Sequence, residues 1–145
     1  MATRRGGVQP WRVTMKFLCL VYFGPGAFAG LTPDQMRAVG DATIEHDHKL
    51  RQSGHLLIAS PLEDVETGVG IDRRRLKMSL IDGPYAETKE VVGGFLLLEA
   101  RDMEEAVALF DDDPIAAHCR LEIRPLVEDH RHSETGQARP ELRLS

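Results

Sequence analysis

The segment "IDGPYAETKEVVGG", residues 81 to 94, gathers the side chains best suited to acid–base chemistry. Gly83 permits backbone geometry denied to other residues and Pro84 fixes φ, so the Asp82 carboxylate is expected to be held at a strand end. Tyr85, Glu87, Thr88 and Lys89 add an aromatic hydroxyl, a second carboxylate, a hydroxyl and an amine. An aimed carboxylate with such neighbours suits recognition of a polar organic molecule and transfer of its proton. Loops that carry these groups on a rigid sheet often form sites. The plain alternative is an aspartate turn that bonds its own backbone, and composition does not separate the two.

A partner for Asp82 has to come from elsewhere in the chain. On a helix stepping about 100° per residue, Met36, Val39, Thr43, Asp47 and Leu50 share one face, which turns Asp47 inward. His46 then lies at the rim of that face, either as a packed, hydrogen-bonded side chain or as a base. His48 points to solvent, and the two imidazoles cannot grip one ion because helical residues two apart diverge. His55, at the start of the next predicted strand, is the other candidate histidine. Asp111, Asp112 and Asp113 read as a charged loop after a helix. "GPGAFAG" fits a dinucleotide-binding pattern only loosely, since the helix starts too late for its amides to reach a pyrophosphate. No cofactor and no metal is expected.

The elements that must position these groups are legible in outline. "KFLCLVYF" is a buried strand ending at glycine and proline. Thr32, Pro33 and Gln35 supply a capping box with proline at the first helical position, and Gly54 sits where a C-terminal glycine cap belongs. "HLLIA", "VETGVGI", "LKMSLI" and "GFLLLEA" read as strands, the middle two paired through Arg73 to Arg75. Asp102 and Glu105 form a second capping box, and that helix ends before Pro114. "CRLEIRPL" is the last strand. This order predicts an α+β fold, a ferredoxin-like antiparallel sheet with two helices on one face. Strands that are apolar on both sides need a cover for the second face, so a homodimer, a dimeric α+β barrel, is expected.

The totals agree with one domain. The chain has 145 residues, 42% hydrophobic and 28% charged, with no apolar run long enough for a membrane helix. Its net charge of -5 gives no broad footprint for direct contact with nucleic acid. Cys19 and Cys119 lack metal-ligand spacing and read as buried thiols of a cytoplasmic protein. The basic residues before "FLCLVYF" and "AFA" after it imitate a secretory leader, but a first strand explains the same run. Residues 1–14 and 128–145 are expected to be disordered, which leaves the domain at 15–127.

"DGPYAETKEVVGGFLLLEARDMEEAVAL" closely resembles the DGPF-type branch of the YCII-related family, with "MKFLCLVYF", "SGHLLIASPLEDVET" and "LEIRPL" extending the likeness over 15 to 126. The resemblance implies a ferredoxin-like, usually dimeric domain of unsettled function, with acid–base chemistry where an aspartate and a histidine meet in a cleft. That aspartate corresponds to Asp82. The branch tends to carry an aromatic residue followed by Asp or Asn at the positions of His46 and Asp47, so His46 either restores the base or replaces the aromatic incidentally. Arg75-Leu76 in place of Asn-Gly and Cys119 in place of glycine depart from the pattern. The branch also resembles accessory proteins found alongside sigma factors, which implies the alternative of a non-catalytic regulatory or ligand-sensing module with a transcription-regulator partner.

Overall fold

Two apolar runs, one near each end of the domain, set the frame. A computed structural model of the chain describes residues 13–74, 79–82 as backbone, and 90–141. The chain order is β1 (Met15–Phe23), α1 (Pro33–Gln52), β2 (Leu56–Pro61), β3 (Val69–Asp72), β4 (Ser79–Asp82), β5 (Val91–Ala100), α2 (Met103–Ala108) and β6 (Arg120–Pro125). Short 3-10 turns occupy Val65–Thr67 and Pro114–Ala117. The main sheet has the order β2-β5-β1-β6 with every pairing antiparallel, and β3 with β4 makes a separate two-stranded ladder. The expected α+β arrangement, an antiparallel sheet with two helices, is therefore what forms.

Period-2 alternation divides the sheet into two faces. Phe17, Cys19 and Val21 of β1 and Leu96, Leu98 and Ala100 of β5 are buried together with Leu50 of α1 and Ala106 of α2. Both helices thus cover the same face, and each large apolar side chain fully buried there contributes about 1.5–3 kcal/mol. The alternate residues, Leu18, Leu20, Phe95 and Leu97, are half-buried on the other face.

The caps of α1 form as the sequence predicts. Thr32 Oγ1 accepts from the Gln35 amide at 3.1 Å and Gln35 Oε1 accepts from the Thr32 amide at 2.8 Å. At the other end Gly54 adopts φ 83°, the His55 amide donates to Leu50 O and the Gly54 amide to Arg51 O, each at 3.0 Å. That is the paired bonding of a Schellman stop, which needs a residue without Cβ. The second box forms only in part. Asp102 Oδ1 accepts from the Glu105 amide, but Glu105 Oε1 accepts from the Arg101 amide, each at 2.9 Å, because Glu105 leans across the strand end.

The tail is not featureless over its described part. Arg131 and Ala138 form a bridge, and the His132 amide donates to Gln137 O at 2.8 Å.

Candidate functional site

α1 is twenty residues long, but its buried side chains, His46 and Leu50, belong to its C-terminal half. Met36 and Ile44 are 38% and 57% exposed. The N-terminal half stands away from the sheet and bounds a groove of about 380 Å3. Gly40 widens the gap, since a Cβ built there meets nothing within 4 Å. Gly93 and Gly94 line the strand side. Gly93 is the extra residue where the β1–β5 register slips between Val21 and Tyr22, and a Cβ on it would fall 2.3 Å from the Phe23 ring. Phe23 therefore rests against bare backbone, and it meets Phe28 edge-on with centroids 5.1 Å apart at 85°. Ala59 and Ile115 add to an otherwise apolar wall.

Among the described residues, the charged side chains lining this groove are two aspartates, Asp47 and Asp113. Asp113 is 8% exposed and caps the Pro114–Ala117 turn, its Oδ1 accepting from the Ile115 amide at 3.0 Å. Desolvation holds its carboxyl above the usual aspartate range, with the charge of Asp112 adding, while the Ile115 amide and His46 pull the other way. Desolvation also raises Asp47, with Asp113 adding and His46 opposing. The charge of Asp113 thus makes Asp47 harder to ionise, and desolvation acts on both carboxyls in the same direction.

His46 stands behind the pair. It is 6% exposed rather than at the rim, because the end of α2 closes over it. Its Nε2 lies 3.0 Å from Leu109 O, and a carbonyl only accepts, so Nε2 carries the proton and Nδ1 presents a lone pair or a second proton. Nδ1 is buried and meets no partner among the described residues. Asp112 Oδ1 lies 3.4 Å from Nε2, and Asp112 is also ion-paired with Lys49. Burial, with Asp113 adding, pushes the Cys19 thiol up to about 12, which keeps it a neutral core group. Cys119 is raised in the same way.

With this geometry in hand, comparison with protein families finds the YCII-related domain matching residues 15–129. The chain belongs to the YCII-related family. A search of curated proteins gives no match.

This YCII-related domain brings together His46 and Asp47, and adds Asp113. His55 sits in a different cluster: its Nδ1 is 2.7 Å from Ser53 Oγ and its Nε2 is 3.3 Å from Glu105 Oε1, tying the α1–β2 connection to the first turn of α2. Asp82 is placed by its backbone as the last residue of β4, opposite Val69. Its side chain, and Tyr85, Glu87, Thr88 and Lys89, lie outside the described residues. His48 is exposed, as its helical position requires. Asp113 was missed as a site residue, because three adjacent aspartates read as a solvated loop. An aspartate directly before a proline is also a cap signal, and that cue leads to it.

No group of three or more His, Cys, Asp or Glu suited to a metal is present among the described residues. No helix among them is long and apolar enough to cross a membrane. A larger concavity of about 540 Å3 lies among His130 to Pro140, but the residues lining it are exposed, so it desolvates no polar group.

Proposed function

We propose that this YCII-related domain binds a small organic molecule in the groove between α1 and the sheet and handles a proton at its acidic end. The observation that carries the reading is the groove itself: an apolar slot of about 380 Å3 that includes two carboxylates whose burial favours the protonated form. In this reading the apolar body of the ligand lies along Val39, Gly40 and Phe23. Asp47 meets its polar end, and His46 Nδ1 is the base that accepts or returns a proton within the cluster.

Within the family we place the chain on the DGPF-type branch, on the strength of Asp82-Gly83-Pro84 and the residues that follow. That placement carries the expectation of an acid–base role for Asp82. The experiment is an amide chemical-shift titration with n-hexanol. Binding is expected to move the signals of Gly40, Thr43, Ile44 and Gly93, and Gly40→Phe, which fills the slot, is expected to remove the response. Shifts confined to other surfaces, or a response that survives Gly40→Phe, overturn the reading.

We also propose that two copies pair through the sheet face that the helices leave bare. Leu18 opposite Leu97 and Leu20 opposite Phe95 form an apolar band there. Polar contacts flank it, with Lys16 paired to Glu99 at 3.4 Å and Tyr22 donating to Glu122 at 2.9 Å. A band of this kind with a polar rim supports self-association.

A further inference from the structure

We infer that the ligand of the groove is an organic cation, a compact apolar body that ends in an ammonium group; this rests on the groove reading above and names its ligand class. Among the described residues the charged groups along the groove carry one sign, Asp47 and Asp113. Asp47 is half-buried and has no hydrogen bond or ion pair among the described residues, and Asp113 has the Ile115 amide on Oδ1 alone. Lys49, two residues on from Asp47, is taken up by Asp112.

A separate observation points the same way. His46 is more than nine-tenths buried, within electrostatic reach of both aspartates, and its Nδ1 is left without a partner. Here acid and base sites are desolvated together. A buried carboxylate is stabilised by an opposite charge or by donated hydrogen bonds, and an ammonium supplies one positive charge and up to three donors. An anionic ligand adds a like charge in a poorly solvated slot. A neutral apolar one leaves the carboxylates as they are.

The test is calorimetric titration of three probes with the same chain length, n-hexylamine, n-hexanol and hexanoate, into the wild-type protein and Asp47→Asn. The inference expects hexylamine to bind about tenfold or more tighter than hexanol, as charge-assisted hydrogen bonds exceed neutral ones, with hexanoate weakest. In Asp47→Asn the preference for hexylamine over hexanol should collapse. If hexanol binds as well as hexylamine, or hexanoate binds best, the cation inference is overturned and the groove reading stands. If none of the three binds to the wild-type protein, the groove reading fails and the inference fails with it.

Discussion

The same chemical change, glycine to alanine, is expected to act with opposite sign at two positions facing one groove. At Gly93 the new Cβ would sit 2.3 Å from the Phe23 ring, where ordinary contact begins at 3.4 Å. The ring must retreat by about 1 Å, and overpacking of this kind costs roughly 1–3 kcal/mol. Displacing it also weakens the edge-on contact with Phe28, worth roughly 0.5–1.5 kcal/mol. Replacing a strand glycine returns about 0.5–1 kcal/mol through the unfolded chain. The net expectation is a loss of roughly 0.5–4 kcal/mol, with overpacking the larger effect. At Gly40 nothing lies within 4 Å, so only the helical preference acts, a gain of about 0.8–1 kcal/mol. For a chain of this length each kcal/mol moves Tm by about 2–4 °C. Gly40→Ala should therefore melt higher than wild type and Gly93→Ala lower, read by circular dichroism on matched samples. A Gly93→Ala protein as stable as wild type would show that Phe23 does not rest on that backbone, and the wall of the groove would have to be redrawn.

Asp47→Asn should stabilise the fold at neutral pH, since it removes a half-buried charge. A carboxyl raised by folding contributes stability below its unfolded pKa and loses it as pH rises through the folded value, so the advantage of the variant should fade on acidification; urea unfolding at several pH values reads this. Glu105 has the opposite sign. Desolvation raises it, but the Arg101 amide, His55 and the Arg101 guanidinium together hold it below the usual glutamate range. Its stabilising contribution is present above the unfolded pKa and lost as pH falls, so Glu105→Gln should be less stable than wild type near neutrality, with a gap that narrows in acid. Leu20→Glu places a charge on the bare sheet face. Light scattering should find wild-type dimers and variant monomers, whereas a wild-type monomer would contradict the proposed pairing.

Much of the frame could be read from local chemistry. Thr32, Pro33 and Gln35 announce where α1 starts, and Gly54 where it stops, because the orphan amides and carbonyls of a helix end need nearby partners whatever the tertiary context. The doubly apolar β1 run likewise marks an interior strand. The groove was not legible, because it depends on how far the N-terminal half of α1 stands from the sheet, and periodicity fixes a face without fixing a distance. For the same reason His46 was assigned to a rim, although Leu109, sixty-three residues on, covers it. Asp113 was hidden by its neighbours: Asp111 and Asp112 are exposed, as a charged run suggests, while the proline turn draws the third aspartate inside. Glu105 was expected to close its box on Asp102, but its side chain turned to Arg101, a choice set by where the preceding strand ends.

The central claim is that two desolvated carboxylates face one apolar slot and resist ionisation together. Following the carboxyl carbons of Asp47 and Asp113 by 13C NMR through a pH titration tests it directly. The account predicts that both titrate above the range of the exposed aspartates of the same chain, and that replacing Asp113 by asparagine lowers the pKa of Asp47. Two ordinary, independent titrations would contradict it.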